Sequence, residues 1–222
     1  MDRGKMTSIG SIEAWPPGKS ETSKTTSPSK LTVSAATPAD ASSVVDVISE
    51  AFLNDPTWSW AFPAPGARRR WWTHLIDNVL RYPWTLKTSG FEAVSVWIPP
   101  NGTELSHDGE QQVPGLLNEL VGSRATEVTE LLRRFEQTHP QGEPHYYLSL
   151  LATADAHRGR GLGMALLKEN LARFDAEQTS TYLESSNPSN NQRYDSLGFV
   201  PVVSFQAPGD GPVVTGMWRK SR

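Results

Sequence analysis

The chain contains no cysteine. Disulfides, thiolate metal centres and cysteine nucleophiles are thereby excluded, and a reducing cytoplasm suits such a chain. Long apolar runs are missing as well. None approaches the roughly 18 residues of a membrane-spanning helix, so no membrane contact is expected. The first residues carry no continuous apolar core, which argues against a secretory signal. There is no strong excess of charge of either sign. Lys and Arg number 21 and Asp and Glu 24, a net charge of −3. A nucleic-acid partner is not expected, because such domains usually carry a basic face. No internal repeat is visible, and no metal site is expected.

What is present divides in two. Residues 1–30 are rich in Ser, Thr, Lys, Pro and Gly, with scattered apolar residues. Such a segment buries too little surface to offset its ordering entropy, so it reads as a disordered tail. Residues 31–222 have the patterning of one α/β domain, with a mixed sheet and flanking helices. Leu31 and Val33 alternate as a strand does. Thr37, Pro38 and Asp40 mark a helix start, with Asp40 as the capping-box acid. "NDPTWSWAFPAPG" reads as a loop and "ARRRWWTHLIDNVLRY" as a helix. "WTLKTSG" and "EAVSVWIPP" read as strands joined at Ser89-Gly90. Asn101 to Gln112 reads as a loop, followed by helical segments near Leu116–Val121 and Thr126–Thr138. "EPHYYLSLLAT" is a buried-strand pattern. A helix to about Ala176, the strand "STYLESS", a short helix closed by Gly198 and a final strand pair complete the order.

The most informative stretch is "HRGRGLGMALLKENLARF". Gly159, Gly161 and Gly163 sit between a strand and a helix whose apolar face is Met164, Leu167, Leu171 and Phe174. Unpaired helix-start N–H groups and the helix dipole favour an anion there, and glycines let a phosphate approach. Arg158 and Arg160 add positive charge. The nucleotide-binding pattern G-x-x-x-x-G-K-[ST] is absent. G-x-G-x-x-G fails because Met164 stands where its third glycine would be. What fits is R-x-x-G-x-G, Arg158 to Gly163. About 30 residues on comes a second signal, Tyr194-x-x-Leu197-Gly198-Phe199.

These two motifs, in this order, resemble those of the GNAT acetyltransferase superfamily. Within it, residues 31–219 look most like puromycin N-acetyltransferase and its relatives. That likeness includes the Leu-Glu-x-Ser-x-Pro-x-Asn run through Glu184, Ser186, Pro188 and Asn190. The resemblance implies a mostly antiparallel sheet with a splayed strand pair at the acyl-CoA site. It implies acetyl transfer from acetyl-CoA to a primary amine by direct attack in a ternary complex, with no metal. The backbone of Leu151, Ala152 and Thr153 would pair with pantetheine, and the 158–164 turn, including Leu162 and Met164, would hold pyrophosphate. Tyr194 matches the family's general acid. The acceptor-side loops match poorly, so puromycin itself is not implied.

Other roles rest largely on the residues themselves. Glu184 is the candidate base, on one strand face with Tyr182; a salt-bridged glutamate is the bland alternative. Asn187 and Asn190 suit either cofactor hydrogen bonding or turn formation. Six of the eight tryptophans lie between Trp58 and Trp97. The resemblance also implies an acceptor site in the loop between the first two helices, which makes Trp58, Trp60 and Phe62 candidates to hold an apolar or aromatic amine, while Trp71, Trp72 and Trp97 read as core. Arg68, Arg69 and Arg70 suit contact with the adenosine phosphate of coenzyme A, though a solvated helix start is the plainer reading. The stretch from Asn101 to Glu143 holds eight acids against three arginines. These suit a cationic acceptor, though a solvated helix surface is the plainer reading. A small-molecule amine acceptor and a monomer or homodimer are expected. The alternatives are a protein or peptide acceptor, or an acyl-CoA binder without catalysis.

Overall fold

The computed structural model describes residues 31–222. The expected tail, residues 1–30, lies outside the described residues. Strands β1 (Val33–Ala35), β2 (Thr85–Thr88), β3 (Ala93–Ile98), β4 (His145–Thr153), β5 (Ser180–Ser185), β6 (Val200–Gln206) and β7 (Val213–Arg219) form one sheet. Its order is β1-β2-β3-β4-β5-β7-β6. Every neighbouring pair is antiparallel except β4 and β5. The helices are α1 (Ala41–Ala51), α2 (Pro56–Ala61), α3 (Pro65–Val79), α4 (His107–Val121), α5 (Ala125–Thr138), α6 (Leu162–Ala176) and α7 (Asn191–Asp195). None is long and apolar enough to cross a membrane among the described residues.

The helices cover both sheet faces. On one, Val44 and Ile48 of α1 and Trp72 and Ile76 of α3 pack with Val94, Val96 and Leu150. On the other, Leu167, Leu171 and Phe174 of α6 pack with Trp97, Leu148 and Met217. Asp40 reaches back as expected: its carboxylate accepts from the Thr37 N–H at 2.8 Å and the Thr37 hydroxyl at 2.9 Å.

Three expectations need correction. "NDPTWSWAFPAPG" is not all loop, because α2 lies within it. Asp55 caps that helix, accepting from the N–H groups of Thr57 and Trp58 at 3.0 Å each, with Pro56 at its first position. The 101–112 loop ends early, because α4 begins at His107 behind the Ser106 cap. Arg68 is no solvated side chain. It is 4% exposed and donates to the Leu53 carbonyl at 2.6 Å and the Ser59 hydroxyl at 2.7 Å, pinning the α1–α2 turn.

Two features of β4 create the cleft. Its register against β3 skips Ser149: Leu148 opposes Trp97, while Leu150 opposes Val96. Such a bulge reverses which side chains face which layer. Tyr146 and Leu148 therefore face α6, and Leu150 and Ala152 face α1 and α3. Pairing of β4 with β5 also ends at Leu148–Leu183, whereas β5 continues along β7 to Ser185–Thr215. Beyond Leu148 the parallel strands separate, leaving the β4 edge open on that side.

Candidate active site

A cavity of about 1130 Å³ occupies this splay. It is lined by Leu151, Thr153 and most of the 158–164 turn, by Trp58, Trp71, Phe135 and Glu104, and by Glu184 and Tyr194. The glycines of the turn differ in purpose. Gly159 and Gly161 have φ of 77° and 74°, with nothing within 4 Å of a Cβ built on either. They supply a left-handed backbone that other residues adopt at a cost. Gly163 has an ordinary helical backbone, but a Cβ there would lie 2.6 Å from Thr153 Oγ1. It permits close packing of α6 on β4. Gly161 is the N-cap of α6, and no side chain caps that terminus. Open space beside the turn, uncapped N–H groups and an open strand edge fit the pyrophosphate and pantetheine of an acyl-CoA.

Arg158 lines the cavity with its guanidinium already engaged. Nε lies 2.8 Å from Asp155 Oδ1 and Nη2 donates to the Ala51 carbonyl at 2.8 Å. Arg160 is exposed and does not line the cavity. Leu162 and Met164 do line it, while Ala152 is turned into the core. Asn187 and Asn190 line it too, each with a local bond. Asn187 Oδ1 accepts from the Ser189 N–H and hydroxyl, and Asn190 Oδ1 from Arg193.

The aromatic candidates separate. Trp58 lines the cavity, with Phe135 stacked at 5.8 Å and 10° between planes. Phe62 is fully buried in the core, and Trp60 lies outside the cavity beneath the Arg124 guanidinium, 4.8 Å from its ring. Trp71 and Trp72 are core residues whose edges also line the cavity. Trp97 is wholly core.

Glu184 and Tyr194 are brought to one cavity. The Glu184 side chain is 2% exposed, and neither oxygen has a hydrogen-bond partner. Its Oε1 lies 3.7 Å from His139 Nδ1. The phenol of Tyr194 is pushed up to about 12 by burial and then by the Asp55 carboxylate.

Residues missed by sequence reasoning complete the centre. Glu104, in the loop after β3, accepts from the hydroxyl of Ser149. Burial is the main cause that pushes its carboxyl up to about 7, the charge of Glu184 adding to it. Tyr147 and Tyr182 are raised by burial first, with Glu184 also contributing. His145 Nε2 lies 3.1 Å from His139 Nε2, and burial lowers its pKa. The one sequence signal for Glu104 was its membership of the acid-rich 101–143 stretch. Of those eight acids, Glu104, Glu110, Glu136 and Glu143 line the cavity.

The comparisons agree with this geometry. Residues 134–219 match the family model described as Acetyltransferase (GNAT) domain. A solved structure described as histone acetyltransferase HPA2 and related acetyltransferase, from Corynebacterium glutamicum, is 29% identical. The match covers 86% of this chain and 97% of that one, with a TM-score of 0.61. Arylalkylamine N-acetyltransferase 2 from Aedes aegypti shares the fold at 12% identity, with 86% and 99% covered and a TM-score of 0.59. An agmatine N-acetyltransferase shares it at 12% identity, with 86% and 100% covered and a TM-score of 0.61. Residues 134–219 thus match a GNAT acetyltransferase domain, and the seven-stranded sheet with its one parallel pair, β4–β5, has the GNAT fold. The chain is an acetyl-CoA-dependent acetyltransferase.

Proposed function

We propose that the enzyme acetylates the primary amine of a small molecule, by direct attack in a ternary complex with acetyl-CoA. The observation that carries this reading is the buried Glu184 carboxylate, free of hydrogen bonds, in the same cavity as the glycine turn and Tyr194. Acetyl-CoA supplies the activated acetyl group. The 158–164 turn would hold its pyrophosphate, and the open β4 edge at Leu151–Thr153 its pantetheine. Within the superfamily, the Glu184–Asn190 run supports a likeness to puromycin N-acetyltransferase and its relatives.

Glu184 acts as the base. An acceptor arriving as an ammonium loses one proton to Glu184, and the free amine attacks the acetyl carbonyl. A C–N bond forms, the C–S bond breaks, and nitrogen loses a second proton. One proton goes to the departing sulfur and the other reaches solvent. Tyr194 donates its hydroxyl hydrogen bond to the sulfur. A phenol at about 12 stays protonated at neutral pH. Complete transfer to a thiolate of about 8.5 is uphill, so its main contribution is the hydrogen bond.

The Corynebacterium structure carries a histone acetyltransferase name, which raises a protein acceptor as a second reading. The aromatic wall of Trp58 and Phe135 favours a small one. Thiol release from acetyl-CoA across a panel of amines and peptides tests the point. Glu184→Gln is expected to lower kcat about 10²–10⁴-fold, most severely at pH values where the amine is protonated. Tyr194→Phe should lower kcat near the lower end of that range with acetyl-CoA affinity preserved. Wild-type turnover in both variants would remove this mechanism, and activity on peptides alone would remove the small-molecule acceptor.

A further inference from the structure

The cavity has a charge imbalance. Glu184 is buried with neither oxygen hydrogen-bonded, its Oε1 3.7 Å from His139 Nδ1, and the Tyr182 hydroxyl has no hydrogen-bond partner either. Glu104 shares the cavity, held by the Ser149 hydroxyl and close enough to Glu184 to feel its charge. The groups facing Glu104 are Glu184, His139 and Tyr147. No arginine or lysine is among them. The two arginines that line the cavity are engaged elsewhere: Arg158 with Asp155, and Arg193 with Asn190. Carboxylates withdrawn from water are costly unless a cation or several donors meet them. Trp58 and Phe135, stacked in parallel, and the edges of Trp71 and Trp72 form an aromatic wall of the same cavity.

We infer that Glu104 is an acceptor-binding residue. With Glu184 it receives the ammonium group of a primary amine whose body is an aromatic ring lying against Trp58 and Phe135. The inference rests on the acetyltransferase reading above. An ammonium has three donors and no acceptor, which suits two carboxylates in one site. Glu104 fixes the ammonium while Glu184 takes its proton. A neutral hydroxyl isostere brings one donor and no charge, and so meets at most one of the two carboxylates.

The test combines kinetics and calorimetry on the full chain. Phenethylamine, cadaverine and 2-phenylethanol serve as probes in the presence of coenzyme A or acetyl-CoA. Phenethylammonium is expected to bind, with cadaverine weaker and 2-phenylethanol weaker still. In Glu104→Gln the KM for phenethylamine should rise about ten- to a hundredfold with kcat little changed, whereas Glu184→Gln loses kcat. Should Glu104→Gln fail to fold, Ser149→Ala frees the Glu104 carboxyl from its only hydroxyl partner and should raise KM in the same direction. An unchanged KM in the folded variant overturns the proposal, as does 2-phenylethanol or cadaverine binding as tightly as phenethylammonium. If Glu184→Gln abolishes turnover while Glu104→Gln is silent, the acetyltransferase mechanism stands and this assignment falls. If no amine is turned over, the small-amine reading falls, and the calorimetric ranking still decides the role of Glu104.

Discussion

Gly161 and Gly163 are two positions apart and are constrained in opposite ways. At Gly161 the backbone is left-handed at 74° and the space is empty. Alanine there costs about 1–2 kcal/mol of backbone strain. No truncation of a neighbour can relieve it, because no neighbour is in contact. At Gly163 the backbone is ordinary, and the obstacle is Thr153 Oγ1 at 2.6 Å from the added carbon. Overpacking of this kind costs about 1–3 kcal/mol. Gly163→Ala should therefore lower the melting temperature, and the added Thr153→Ala should restore much of it. Gly161→Ala should lower it with no rescue by Thr153→Ala. Thermal unfolding of these four variants, with Thr153→Ala alone as the fifth, forms two double-mutant cycles. Equal coupling of Thr153 to both glycines would refute the distinction. The spacing R-x-x-G-x-G was legible in the sequence. Which glycine served conformation and which served packing was not, because Thr153 reaches Gly163 only once β4 and α6 are docked.

At the scale of elements, α2 shows why a helix of six residues escapes periodicity. It is too short to present a stripe, and Asp55-Pro56 reads equally as a turn or a helix start. Its N-cap does two jobs. Asp55 accepts from the Thr57 and Trp58 N–H groups and also from the Ser186 hydroxyl at 2.7 Å, while the Thr57 hydroxyl donates to the Ser186 carbonyl at 2.8 Å. The helix carrying Trp58 is thus fastened to the residue two beyond Glu184. Asp55→Ala should cost about 1–2 kcal/mol through the lost cap, and more through the Ser186 hydroxyl left without its acceptor. It should also raise the acceptor KM, because Trp58 loses its anchor. Asp55→Asn keeps an acceptor oxygen and should retain most of the stability. Urea unfolding and amine kinetics on both variants check this. An acceptor KM unmoved in Asp55→Ala would separate α2 from the site. The start of α4 was hidden differently. Asn101 to Gln112 read as one polar loop, yet Gly109 sits buried inside α4, where any Cβ would strike the amide of Asn78.

At the scale of the molecule, the strand and helix order was legible because the apolar patterns are strong. Long-range polar pairing was not, since nothing local announces it. Arg68 read as one of three solvated arginines, and Arg219 likewise lies far in sequence from the residue it meets. Arg219 is 4% exposed. Its guanidinium meets Asp175 with both terminal nitrogens, at 2.8 and 2.7 Å, and its Nε donates to the Leu197 carbonyl at 2.9 Å. It ties β7 to the end of α6 and to the turn that follows Tyr194. The hydrogen bonds from Arg219 are the main reason that the Asp175 carboxyl is held below its usual range. A carboxylate depressed on folding stabilises the native state above its unfolded pKa near 4, and that contribution is lost as pH falls through the lower folded value. Arg219→Met should thus cost about 3 kcal/mol at neutral pH, lowering the melting temperature by roughly 6–12 °C. The gap from wild type should narrow as Asp175 protonates below about pH 4. Melting curves for both proteins from pH 7 to pH 3 give that gap directly. A gap that stays constant across the range would mean that Arg219 acts through packing and the Leu197 carbonyl rather than through Asp175.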